Sequence, residues 1–151
     1  MNTLAKFFVS GGTGFLGSSL IELLSKEGHS VVALVRRPER ADVLPASVAQ
    51  VAGDLTSEEA MAAGMAGCDG VFHLAASVGG TIEATREFNT EGTRRVLRAA
   101  KLAAKRGWLE LPLPVNLGVS AKMARQRTRI PATALAACET AMGLQAGCAR
   151  R

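Results

Sequence analysis

"FFVSGGTGFLGSSLIELL", residues 7–24, decides how the rest of the chain is read. The apolar run from Phe7 to Val9 meets four glycines in seven residues, Gly11, Gly12, Gly14 and Gly17. Leu16, Leu20, Leu23 and Leu24 then recur at helical spacing. The pattern is that of a buried strand turning sharply into a helix. Gly12-Thr13-Gly14-Phe15-Leu16-Gly17 fits the spacing G-x-G-x-x-G, and Gly11, Gly14 and Gly17 fit a related three-residue spacing. Such a match is weak alone and gains weight from a preceding strand and a following helix. The first glycines allow the sharp turn, Gly14 lets backbone approach a pyrophosphate with no Cβ in the way, and Gly17 lets helix pack closely on strand. The helix N-terminus adds unpaired N–H groups and a partial positive charge. An ATP-type phosphate loop is excluded, because Ser18-Ser19 stands where Lys-Ser or Lys-Thr would be needed.

Outward from this stretch, strands and helices alternate. "AKFFVS", 5–10, "SVVALV", 30–35, "SVAQVAGDL", 47–55, and "GVFHLAAS", 70–77, read as strands. Gly28 is placed to end the first helix. "TSEE", 56–59, fits a capping box, with Thr56 as cap and Glu59 reaching back, for a helix running to the Gly67 region. A longer helical pattern runs from about Thr90 to Arg106, with Val96, Leu97, Ala100 and Ala103 on one face. Apolar strands separated by helices imply parallel strands with crossovers. The fold class expected is α/β: the N-terminal half of a Rossmann-type doubly wound parallel sheet, followed by an irregular or partly helical C-terminal tail.

The 151 residues suffice for one domain with a sizeable core. No apolar run approaches the roughly 20 residues of a membrane-spanning helix, and the N-terminus lacks the layout of a secretory signal. Cys68, Cys138 and Cys148 have no metal-ligand spacing and read as reduced thiols of a cytosolic protein. The net charge of +5 is unevenly placed. Residues 1–106 are nearly balanced, with 12 Lys+Arg against 11 Asp+Glu, whereas residues 107–151 hold 6 against 2. A basic footprint on the folded part is therefore not supported, and nucleic acid is not an expected partner.

The choice of dinucleotide turns on the end of the second strand. Enzymes that prefer NAD usually carry an acid there, bonded to the ribose 2′-hydroxyl. Here Val35 is followed by Arg36 and Arg37. An arginine can bond a 2′-phosphate in a fork, and an acid would repel it. The pair favours NADP over NAD, the alternative being two solvated charges at a strand end. Asp54 is either a ligand for the adenine amino group or a loop or cap aspartate.

Taken together, "SGGTGFLG", "VVALVRRP", "GDL", "GCDGVFHLAA" and "NTEGTRRVLRAA" resemble the extended short-chain dehydrogenase/reductases, the group of NAD-dependent epimerase/dehydratases and dihydroflavonol reductase-like enzymes. "ALVRRP" with "GCDGVFHLAA" leans toward the dihydroflavonol reductase-like branch. The resemblance covers about residues 4–106. It implies that Gly11, Gly14, Phe15 and Leu16 are pyrophosphate-loop residues, to which the fingerprint spacing adds Gly12 and Gly17 in the expected cofactor-binding set. It further implies that Arg36, with Arg37 beside it, takes the 2′-phosphate and that Asp54 and Leu55 line the adenine. Leu74, Ala75 and Ala76 would lie along the cofactor ribose, and Asn89 matches an asparagine that opens the family's long helix.

After Gly107 the resemblance stops and the composition changes. Ala, Arg, Leu, Gly and Pro make up 27 of the last 45 residues. The family's chemistry needs a Tyr-x-x-x-Lys pair after a fifth strand, and the chain contains no tyrosine. The expected domains are 1–106, a dinucleotide-binding half, and 107–151, a tail outside the family. The tail is either the product of a shifted reading frame or a diverged end in which Leu109, Leu111 and Leu113 form an edge strand. Prolines at 112 and 114 permit that strand only with their side facing solvent. The fourth strand is expected to present an open edge at 71–76, a route to self-association. Three functional readings follow: the cofactor half of a reductase or epimerase, a non-catalytic NADP-binding sensor or interaction module, and a gene remnant.

Overall fold

The computed structural model describes residues 4–77 and 79–107, together with the backbone of Val115–Asn116. Five parallel strands form one sheet: β1 (Lys6–Ser10), β2 (Ser30–Val35), β3 (Ala49–Ala52), β4 (Gly70–His73) and β5 (Val115–Asn116), in the order β3-β2-β1-β4-β5. Helix α1 (Phe15–Lys26) crosses from β1 to β2, α2 (Glu58–Gly64) from β3 to β4, and α3 (Ile82–Lys105) follows β4. A 3₁₀ turn occupies Pro38–Val43. The strand order reverses between β1 and β4. That reversal opens a crevice outside the C-terminal strand ends, which is where open α/β sheets take ligands.

Side chains alternate across a strand, and both faces of this sheet are covered. Phe7 and Val9 of β1 join Leu20, Ile21 and Leu24 of α1, with Val31, Ala33 and Val35 of β2, on one face. Phe8 points the other way, into Met61 of α2, Met65 at its C-cap, and Val96, Ala99, Ala100 and Ala103 of α3. This double burial explains the near-continuous apolar reading of "FFV" and "VVALV". Gly28, with φ of 85°, ends α1 as expected, and the N–H of His29 returns to the carbonyl of Leu24 at 3.0 Å.

Four sequence expectations are corrected. β3 is confined to Ala49–Ala52, because a turn at Pro45–Val48 precedes it and Gly53 follows it. Thr56 does not cap α2: its hydroxyl is bonded to Asp54, and Ser57 occupies the N-cap. α3 begins at Ile82 rather than near Thr90, capped by the Thr81 side chain, which accepts from the N–H of Ala84. Asn89 therefore lies inside α3 rather than at its start. Lastly, β4 is not an open edge throughout, since β5 pairs with it at Val71 and Phe72. The proposed edge strand at Leu109–Leu113 lies outside the described residues, as do Cys138 and Cys148.

Candidate functional site

At the C-terminal end of β1 the chain enters the glycine loop. Gly11 has φ of +78°, in the region that favours glycine, and a Cβ there would come within 2.5 Å of the Ala75 amide nitrogen. A Cβ at Gly12 would meet Ile21 Cδ1 at 2.7 Å, and one at Gly17 would overlap the Gly11 carbonyl oxygen. Gly11 and Gly17 are required by the protein's own packing, because the atoms a Cβ would strike are backbone, whereas at Gly12 the near atom is the tip of the Ile21 side chain. Gly14 differs. Its φ and ψ of −80° and 171° suit any residue, it is exposed, and a Cβ there would meet only the Gly11 carbonyl oxygen, at 3.3 Å.

Gly14 is also the N-cap of α1, so no side chain caps this helix, and its first turn contains no acid. The N–H of Gly14 is spent on the Gly11 carbonyl and that of Ser18 on the Gly14 carbonyl. Among the described residues no acceptor serves the intervening N–H groups of Phe15, Leu16 and Gly17. Orphan donors at a helix start attract an anion. Phe15, 60% exposed, stands at the mouth of this turn, whereas Leu16 packs partly against the core.

Across the switch point lies the segment after β4. Leu74 and Ala75 are half-buried and Ala76 is exposed. Gly11 backs directly onto their main chain, with no side chain between. This wall is pinned at both ends. At one end the Leu74 N–H donates to the Ser10 carbonyl at 3.0 Å, and Ser10 Oγ bonds His73 Nδ1 at 2.7 Å. At the other, Asn89 Oδ1 accepts from the Ser77 N–H at 2.8 Å and Asn89 Nδ2 donates to the Ser77 carbonyl at 3.0 Å. Burial lowers the His73 pKa, favouring the neutral ring. Sequence reasoning missed Ser10, His73 and Ser77. The pairs span 63 and 12 residues, and no local pattern signals them.

On the other flank Arg36 and Arg37 are exposed just beyond β2. Arg36 forms no ion pair among the described residues, and the Arg37 carbonyl accepts from the N–H of Arg40. Asp54 resolves toward the loop alternative through one oxygen. Its Oδ1 accepts from the Thr56 N–H at 2.7 Å, the Thr56 hydroxyl and the Ser57 hydroxyl. These bonds hold its carboxyl below the usual range, led by the Thr56 hydroxyl, and Arg36 adds a smaller electrostatic pull. Oδ2 carries no bond among the described residues. The Leu55 side chain is buried in the core, where a Cβ on Gly92 of α3 would meet it at 2.7 Å. The Leu55 side chain is thus taken up by the core, and only its backbone is free of that packing.

The arrangement is a sheet switch point with an uncapped helix start on one side and two arginines at the neighbouring strand end. Residues 11–107 match the sequence profile described as NAD(P)H-binding. The chain belongs to that NAD(P)H-binding family. It is 44% identical over 97 residues to a 4-hydroxy-2-methyl-3-oxo-4-farnesyl-3,4-dihydroquinoline-1-oxide ketoreductase of Stigmatella aurantiaca, covering 62% of this chain and 29% of the ketoreductase. Among solved structures it resembles the Bordetella bronchiseptica enzyme WbmH in complex with NAD+, at TM-score 0.55 and 26% identity, covering 68% of this chain and 37% of that one. It also resembles a short-chain dehydrogenase/reductase superfamily protein of Agrobacterium tumefaciens with bound NAD, at TM-score 0.53 and 28% identity, covering 65% and 29%. The family resemblance read from the motifs is thereby borne out. The chain spans less than two fifths of the length of each of these relatives.

Proposed function

We propose that residues 4–106 bind NADP in preference to NAD, as the cofactor half of an extended short-chain dehydrogenase/reductase. The observation that carries the dinucleotide is Gly14. It is the one exposed glycine of the loop, its backbone angles suit any residue, and it sits at the start of a helix whose first N–H groups lack an acceptor among the described residues. Gly11, Gly12, Phe15, Leu16 and Gly17 would shape that loop around the pyrophosphate. Asp54 Oδ2 and the Leu55 backbone would line the adenine, and Leu74, Ala75 and Ala76 the ribose. The bound dinucleotide would supply hydride chemistry; these residues hold and orient it.

The preference rests on Arg36, assisted by Arg37, at the end of β2. The two solved relatives hold NAD, so the argument for NADP comes from this chain's own charges. One charge-assisted bond is worth roughly 1.5–3 kcal/mol, about tenfold in affinity or more. Calorimetry should therefore give at least about a tenfold tighter Kd for NADP than for NAD, and Arg36→Ala should remove most of the difference. Equal affinities in the unaltered protein would refute the preference.

A non-catalytic sensor or interaction module is the second reading, favoured by one observation: the 151 residues contain no tyrosine. Loss of a positioned general acid alone costs about 10²–10⁴-fold in rate. Purified 1–151 is accordingly expected to bind cofactor without transferring hydride to aldehydes, ketones or flavonoid-type substrates. No helix among the described residues is long and apolar enough to cross a membrane. A cytoplasmic location is part of the proposal and is supported only by reading the cysteines as reduced thiols.

A further inference from the structure

Ser10 and His73 end adjacent strands on the two sides of the switch point, in direct register. Ser10 is 0% exposed and His73 7%. Their polar atoms meet at 2.7 Å between Oγ and Nδ1. A hydroxyl and an imidazole in an apolar sheet junction cost free energy unless paired. Paired, they add little net stability over apolar side chains of similar shape. The core therefore gives no reason for them. What a hydrogen bond adds is a fixed distance and direction, which apolar contact does not impose.

The two residues that follow them make that distance matter. Gly11 comes directly after Ser10, and Leu74 directly after His73. Their backbones are in contact, with room for no Cβ between Gly11 and Ala75. The separation of the two strand ends is thus the separation of the phosphate loop from the ribose wall.

We infer that His73 is a positioning residue for the dinucleotide: by bonding Ser10 it fixes the width of the crevice between the glycine loop and the Leu74–Ala76 wall. This deepens the cofactor reading and rests on it. Removal of either partner leaves the fold intact and the crevice less well defined, so that bound cofactor must order what the pair had already ordered.

The test is NADP calorimetry on the full chain, with thermal unfolding of each apo protein beside it. Ser10→Ala and His73→Leu should each weaken NADP binding by about tenfold. His73→Asn, whose amide stands where Nδ1 stands, should rescue affinity to within about twofold of the unaltered protein. Ser10→Ala with His73→Leu should bind no more than about twofold more weakly than either alone, because one interaction is lost only once. The unaltered chain gives a readout that no folding defect can obscure. It has two histidines, and His29, which accepts from the Ala5 N–H at the opposite, N-terminal end of the strands, is an internal control. On saturation with NADP the imidazole signals of His73 should shift in NMR while those of His29 stay.

Single variants that bind NADP like the unaltered protein would overturn the inference, as would His73 signals that do not move. In both cases the cofactor reading stands, since binding is seen. An unaltered chain that takes up no dinucleotide would overturn the cofactor reading, and this inference with it.

Discussion

Gly14→Ala separates what the fold needs from what a ligand needs. At Gly14 the backbone angles are open to alanine, and the new Cβ would lie 3.3 Å from the Gly11 carbonyl oxygen, a contact relieved by a few tenths of an ångström. Glycine is a somewhat better N-cap than alanine, so the cost to the helix should stay below about 1 kcal/mol. Gly17→Ala is the contrast. Its Cβ would overlap the Gly11 carbonyl oxygen and approach Gly12 Cα at 2.8 Å, both of them backbone. Overpacking of that kind costs about 1–3 kcal/mol. With about 4–8 °C per kcal/mol for a domain near 100 residues, Gly17→Ala should lower Tm by about 4–24 °C and Gly14→Ala by less than about 8 °C. Binding should respond differently. On the proposed cofactor reading a methyl at Gly14 would stand where the backbone approaches the pyrophosphate and would lengthen at least one hydrogen bond to a charged oxygen, worth about 1.5–3 kcal/mol. NADP affinity in Gly14→Ala should therefore fall by about tenfold or more. Differential scanning fluorimetry of the apo proteins and calorimetry with NADP read the two effects separately. Gly14→Ala with unaltered NADP affinity would refute the assignment of this loop, and a Tm as low as that of Gly17→Ala would refute the packing argument.

Three further outcomes are expected. Asn89→Leu removes both bonds to Ser77 and leaves that partly buried amide group unpaired, so thermal unfolding should report a loss of about 1–3 kcal/mol; an unchanged Tm would show that solvent serves Ser77 equally well. Cys68 is buried beneath β1 and α2, burial pushes its thiol up to about 11, with Asp69 adding slightly and Lys6 opposing, and peptide mapping after iodoacetamide at pH 8 should find it unmodified in the native protein and alkylated in urea; modification under native conditions would refute its inertness. Beyond residue 106, a one- or two-base shift of reading frame near codon 107 should restore a strand ending in serine followed by Tyr-x-x-x-Lys, and three frames lacking that pattern would exclude a frameshift as the origin of the tail.

What could be read from the sequence depended on whether its signal was local. β1, α1 and β2 lie within a residue or two of their expected bounds because each carries its own marker: an apolar run, a glycine loop, a glycine at the helix end, a β-branched run. The start of α3 was misplaced because its first two turns face solvent. Ile82 and Phe88 are 81% and 44% exposed, so the buried stripe that betrays a helix begins only at Gly92 and Val96. The cap signal was present at Thr81, but without an apolar stripe behind it nothing singled it out. Thr56 failed for the opposite reason. It had the right composition for a capping box, and Asp54 two residues earlier competed for its hydroxyl.

The candidate site divides along the same line. Its glycine and arginines proposed to meet the ligand are encoded by short motifs, because a phosphate must be met by consecutive backbone groups and a charge at one strand end. Its rigidity is encoded by pairs that touch only after folding: Ser10 with His73, and Ser77 with Asn89. Neither histidine nor asparagine is unusual in its own stretch of chain. Their significance comes from the parallel register that sets Ser10 opposite His73 and from the helix that carries Asn89 back over the wall. A crevice built by two strand ends can be no better defined than the contact between them. In this chain that contact is a buried hydroxyl and a buried imidazole, where a pair of valines would have served the core as well.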